Sequence, residues 1–155
     1  MPDDAAAYEL TQNLQKIATG DPNWHRSTAA STTWSFTSHR EPDVYSRGLP
    51  ILFPAYDLPV DGMNTLPARS GIRVGLSVEG HAGYTPAAIT EASLSYSYDG
   101  GTTWTQAPTE RRDGDWTAVL DHTGATGEQV TLKAAFTDAN GNGVTQTITR
   151  AYDIR

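Results

Sequence analysis

Residues 71–80 read GIRVGLSVEG. Ile72, Val74, Leu76 and Val78 fall on one side of an extended chain and Arg73, Ser77 and Glu79 on the other, the period-two mark of a strand with one buried face. The pattern repeats toward the C-terminus. Leu94, Tyr96 and Tyr98 alternate with Ser93, Ser95 and Ser97, and Trp116, Ala118 and Leu120 alternate with Thr117 and Val119. Val130, Leu132, Ala134 and Phe136 follow, then Val144, Gln146 and Ile148 or, in the opposite phase, their threonine neighbours. Asp99-Gly100-Gly101, Arg112-Asp113-Gly114, Thr123–Gly127 and Asn140–Gly143 separate these runs and supply residues that tolerate positive φ.

Short alternating strands between turn signals predict an all-β protein, an antiparallel sandwich of the immunoglobulin or fibronectin type III kind, over residues 66–155. Residues 1–65 are less regular and are expected to pack on that sandwich as additional N-terminal strands, the two parts forming one combined unit. Thr32–Ser38 reads as a strand carrying Trp34 and Phe36 on one face, and Pro50 and Pro54 confine the apolar run 49–58 to a sheet edge. Residues 5–19 fit a helix through Ala7, Leu10, Leu14 and Ile17, and a strand through Tyr8, Leu10, Gln12 and Leu14. The segment from Asp61-Gly62 to Arg69-Ser70 is the candidate linker.

The chain has 155 residues, 37% hydrophobic and 19% charged, enough for a sizeable core. A net charge of −7 argues against a nucleic-acid partner, which needs clustered cations against phosphate. The basic pair Arg111-Arg112 runs into Asp113 and Asp115 and reads as a solvated hairpin tip. With no cysteine there is no disulfide, thiolate nucleophile or cysteine zinc site. No apolar run reaches the ~18 residues that span a bilayer, and MPDDAAAYEL lacks the basic and apolar regions of a signal peptide. The chain reads as a piece of something larger.

Ser97-Tyr98-Asp99-Gly100-Gly101-Thr102-Thr103-Trp104 fits S-x-D-x-G-x-T-W. It resembles the Asp-box of sialidase propellers and of several unrelated secreted β proteins, but a propeller needs the motif once per blade and here it occurs once. Ser97, Asp99, Gly101 and Trp104 are therefore read as a structural turn: Asp99 accepts backbone N–H groups, the glycines take left-handed angles and the Trp104 ring tucks under.

Asp138-Ala139-Asn140-Gly141-Asn142-Gly143 opens like a calcium loop, with Asp138, Asn140 and Asn142 as candidate ligands, yet Thr149 stands where the bidentate glutamate belongs. A hairpin turn without cofactor is the reading; a low-affinity Ca²⁺ site is the alternative. His25, His39, His81 and His122 share no ligation spacing. No nucleophile elbow, P-loop or H-E-x-x-H occurs, and a carboxylate pair drawn from Glu79, Asp99, Glu110 or Asp115 has no local support. Tyr84, Trp24 and Tyr45 are the candidate ligand surface, and Tyr84 is the aromatic most expected to be exposed.

A set of segments in order carries a resemblance: Tyr8-x-Leu10, Trp24-x-x-Ser27-Thr28, Thr33–Ser38, Leu49–Leu52, Tyr56–Gly62, Ser97–Trp104 and Thr137–Gly141. Together they resemble the region that follows the catalytic domain in large secreted subtilisin-like serine peptidases of high-GC Gram-positive bacteria. The resemblance covers nearly the whole chain and favours a strand at residues 7–16. It carries over no catalytic residue, because D-[ST]-G, H-G-T-H and G-T-S-M-A have no counterpart here. It implies a non-catalytic accessory domain of an exported, extracellular peptidase, one that stabilises the enzyme or contacts substrate or the cell envelope. Its partners would be the parent's catalytic domain and a peptide or glycan. A carbohydrate-binding module using exposed aromatics is the alternative, and a small glycoside hydrolase a further one.

Overall fold

In the computed structural model, which describes residues 4–16, 26–45 and 48–155, the alternating runs become strands of two packed sheets. In chain order they are β1 (Ala6–Gln15), β2 (Ala29–Ser38), β3 (Leu52–Asp57), β4 (Thr65–Leu66), β5 (Ile72–Gly80) and β6 (Ile89–Ser97). Then come β7 (Thr105–Ala107), β8 (Thr109–Arg112), β9 (Asp115–Leu120), β10 (Gln129–Asp138) and β11 (Gly143–Ile154). Among the described residues there is no helix. The protein is an all-β sandwich. The larger sheet has the order β1-β2-β11-β10-β6-β7 and the smaller β3-β5-β9-β8. All pairs are antiparallel except the short β4, which runs parallel to the end of β11.

The inward faces follow from the alternation. Val74, Leu76, Ala118 and Leu120 of the smaller sheet meet Leu94, Leu132, Ala134 and Phe136 of the larger, all nearly without solvent contact. The phase of β11, open in the sequence, is fixed by register: Val144 lies opposite both Phe136 and Trp34 and turns inward with them. A bulge interrupts β10 and β11 between Val130 and Leu132. There Arg150 takes a φ of 52°, and its guanidinium forks onto the Asp153 carboxylate at 3.0 and 2.8 Å.

Residues 6–15 form a strand and not a helix, because all ten pair in continuous register with Ala29–Ser38. Such pairing overrides the weak helical spacing of alanine and leucine. As Pro54 predicts, β3 lies at the edge of its sheet. It is tied across the sandwich by the Trp34 indole N–H, which donates to the Leu52 carbonyl at 2.7 Å. The segment 61–70 is held at several points: β4 pairs with β11, and the His122 N–H donates to the Arg69 carbonyl. Pro108 carries the chain from one sheet to the other between β7 and β8.

The larger sheet is the wider. Its edge strand β1 reaches past the smaller sheet, so the inward side of β1 is only partly covered.

Candidate functional site

The Ser97–Trp104 turn closes on its side chains. The Ser97 hydroxyl donates to Asp99 Oδ1 at 2.6 Å and accepts the Gly101 N–H at 2.9 Å. Thr103 donates its N–H to Asp99 Oδ1 and its hydroxyl to Oδ2, at 2.8 and 2.7 Å. The main reach of Asp99 is thus four residues on. Gly100 and Gly101 take φ of 69° and 97°. The Trp104 ring lies so close to Gly101 that a Cβ there would meet it at 3.1 Å, and Lys133 Nζ stands 4.2 Å from its ring centroid.

The Asp138 loop repeats this geometry. Asn142 donates its backbone N–H to Asp138 Oδ1 and its side-chain amide to Oδ2, at 2.9 and 3.0 Å. Oδ1 also takes the Asn140 N–H and Oδ2 the Tyr84 hydroxyl. The three candidate calcium ligands are spent on one another and on Tyr84: Asp138 is buried and faces four donors, Asn140 gives its backbone N–H to Asp138, and the Asn140 and Asn142 side chains both bond the Tyr84 hydroxyl. Among the described residues no three His, Asp or Glu side chains cluster as a metal site would require.

A third loop of this kind opens the segment read as the candidate linker. Thr65 donates its N–H to Asp61 Oδ1 at 2.9 Å and its hydroxyl to Oδ2 at 2.7 Å. The signal common to all three is an aspartate followed four residues later by Thr or Asn, spanning Gly or Asn. These bonds acidify the carboxyls. Asp99 is held well below the usual range by Ser97 and Thr103, and Asp61 is lowered by Thr65. Burial alone would raise Asp138, but donors from Asn142, Tyr84 and Asn140 outweigh it and lower it.

Tyr84, the aromatic expected to be most exposed, is half-buried: its ring packs against the core, and its hydroxyl donates to Asp138 while accepting the Asn142 amide at 3.0 Å, so the side chain that reaches the surface also pins a loop. Tyr45 is fully exposed. Trp24 lies outside the described residues. Trp34 is buried, and the Trp116 indole N–H donates to the Ile89 carbonyl.

A buried aromatic cluster that the sequence did not reveal plugs the end of the sandwich near Asp121. The His122 ring is without solvent contact, with Nδ1 2.7 Å from the Tyr98 hydroxyl and Nε2 2.8 Å from that of Tyr152. Tyr96 sets its ring edge-on at 5.0 Å and donates to the Asp121 carbonyl. Burial pulls His122 down to about 4, against the smaller opposing pull of the Asp121 charge, and pushes Tyr98 up to about 12.

The surface suited to a partner is the overhang of β1. Its inward-side residues Tyr8, Leu10, Gln12 and Leu14 stand opposite Phe36, Trp34, Thr32 and Ala30. Tyr8 stacks on Phe36, but Leu10 is 44% exposed and Leu14 57%, and Phe53 across the gap is 40% exposed. A groove of about 500 Å³ runs there, walled by Leu10, Gln12, Trp34, Ile51, Phe53 and His81. Trp34, Phe53 and His81 form an edge-to-face row with centroids 5.9 and 5.5 Å apart. Chemically this is a trough with an apolar floor of Leu10, Trp34, Ile51 and Phe53 and a polar margin of Thr11, Gln12, Asn13 and His81, beside a strand edge that no described residue pairs, and the described residues place no clustered titratable groups in it. Leu10 and Leu14 were legible only as members of a strand pattern; their exposure follows from the unequal width of the sheets.

No family model matches the chain, and neither a curated protein nor a solved structure does.

Proposed function

We propose that the chain is a non-catalytic interaction domain of a secreted subtilisin-like serine peptidase and acts through protein contacts made by β1. The exposed trough along β1 carries this reading: Leu10 and Leu14 lie partly in water on one side of a strand whose outer edge pairs with nothing described, and Phe53 of β3, also partly in water, faces them across the gap. The acidic groups support it from another direction. Asp61, Asp99, Asp121 and Asp138 are bound by donors within four residues that close their own loops and lower them, so each of these carboxyls has a structural role. The peptidase setting and the extracellular location rest on the sequence resemblance. A glycan platform has less support, because Tyr84 and Trp34 are engaged internally.

The test is Leu10→Glu combined with Leu14→Glu in the full-length protein. Association, with itself or with other proteins, should fall while the fold and the peptidase kcat/KM on a short peptide stay unchanged. Unaltered association in every assay, or hydrolysis of peptide or aryl glycoside by the isolated chain, would overturn the proposal.

A further inference from the structure

We infer that β1 pairs antiparallel with β1 of a second copy, about a two-fold axis through Gln12. The inference rests on the reading of β1 as the contact surface and names what occupies it. The sheet edges are unequally protected. β7 has three residues and runs into Pro108, β3 contains Pro54, and β8 carries Glu110, Arg111 and Arg112, all recognised devices against edge pairing. β1 has ten residues, no proline, and Glu9 as its sole charge.

The strand is also nearly palindromic. In the run Leu10-Thr11-Gln12-Asn13-Leu14, antiparallel pairing about Gln12 sets Leu10 opposite Leu14 of the other copy, Thr11 opposite Asn13 and Gln12 opposite itself. Both exposed leucines then gain an apolar cross-strand partner on the same side of the sheet. Glu9 falls opposite Gln15, so no like charges meet although each copy carries −7. Centring the axis on Thr11 leaves Leu10 opposite Gln12 and Leu14 opposite Tyr8, and centring it on Leu10 pairs that residue with itself but leaves Leu14 opposite Ala6; only the axis at Gln12 gives both leucines a leucine partner.

The absence of cysteine makes the register directly testable. Residues opposite each other on antiparallel strands have Cα atoms about 4.5 to 5.5 Å apart, within disulfide range, so Gln12→Cys should cross-link the two copies. Glu9→Cys should not, because its counterpart lies about 20 Å along the strand. Under mild oxidation of the full chain, Gln12→Cys is expected to give covalent dimer at least about tenfold faster than Glu9→Cys, with native circular dichroism. Equal rates would overturn the pairing. If Gln12→Cys misfolds, sedimentation of the wild-type chain decides: a monomer at hundred-micromolar concentration overturns it, and a dimer dispersed by the double leucine substitution supports it. Should the dimer fail while those leucine substitutions still weaken binding to another protein, the pairing is wrong and the contact surface stands; if neither responds, both fall.

Discussion

Lowering the pH from 7 to 5 is expected to remove about 2 kcal/mol of stability through His122. The neutral ring uses one nitrogen as donor and the other as acceptor, and the hydroxyls of Tyr98 and Tyr152 match that pair. A protonated ring donates from both, so the tyrosine that had donated must turn its hydrogen away. Tyr98 has the Asp121 carbonyl at 3.5 Å to turn to, while Tyr152 is buried with His122 as its hydroxyl's partner. Burial therefore depresses the group from 6.5 to about 4. Below pH 6.5 the unfolded chain takes up a proton that the folded chain refuses, so stability is full above that value and falls until about pH 4. Integrated, the loss is about 2 kcal/mol at pH 5 and about 3 kcal/mol when complete, the first equivalent to roughly 4–8 °C in Tm. The lowered aspartates act in a separate window, near and below the 3.8 of a free carboxyl. Urea unfolding at pH 7, 6 and 5, followed by tryptophan fluorescence, measures the slope, and His122→Gln should flatten it. A wild-type loss below about 0.5 kcal/mol, or an equal slope in His122→Gln, refutes the account.

Replacing Trp34 by Phe removes the donor to the Leu52 carbonyl in a buried site and should cost about 2–3 kcal/mol, read from the urea midpoint at unchanged m-value. Asp138→Ala strips the acceptor from donors on Asn140, Asn142 and Tyr84 and should destabilise by about 3 kcal/mol or more, with Asp138→Asn milder. Since those donors already engage both carboxylate oxygens, millimolar Ca²⁺ or a chelator should leave the Tm unmoved; a rise with Ca²⁺ would restore the ligand reading of Asp138, Asn140 and Asn142. Gly101→Ala meets both a φ of 97° and the Trp104 ring and should cost about 1–2 kcal/mol in the same unfolding assay.

The strands legible in the sequence are those with one face buried throughout. In β5, β9 and β10 apolar residues alternate because the opposite sheet covers them, fully at all but Val78 and Trp116, which are half-buried. β1 was ambiguous for the opposite reason: its inner side is half-covered, so Gln12 replaces an apolar residue and the alternation blurs into helical spacing. β4, β7 and β8 are too short to show a period, and exist because β11, β6 and β9 offer them partners. The turn at Asp99 could be read because its donors lie within four residues of it. The bond from Tyr84 to Asp138 leaves no local mark because the two lie 54 residues apart, and the same holds for His122, whose partners Tyr98 and Tyr152 lie 24 and 30 residues from it. Local spacing records local bonds; a site assembled by sheet pairing leaves no such record.

The overhang of β1 has a consequence for what a substitution there can do. β1 is held by ten backbone pairs to β2 and by contacts on both sides of the sheet, Tyr8 on Phe36 and the Thr11 and Asn13 side chains on Thr33 and Ser31. Leu10 and Leu14 add little to that attachment, because roughly half of each is already in water. Their replacement by a polar residue removes less buried apolar area than a core truncation does, and should cost under about 1 kcal/mol of folding stability. Any larger effect in the working protein must arise where those side chains become buried, at a contact with another chain. Stability and association are thus separable along this strand, whereas at Phe36 or Trp34, which belong to the core itself, a substitution disturbs both together.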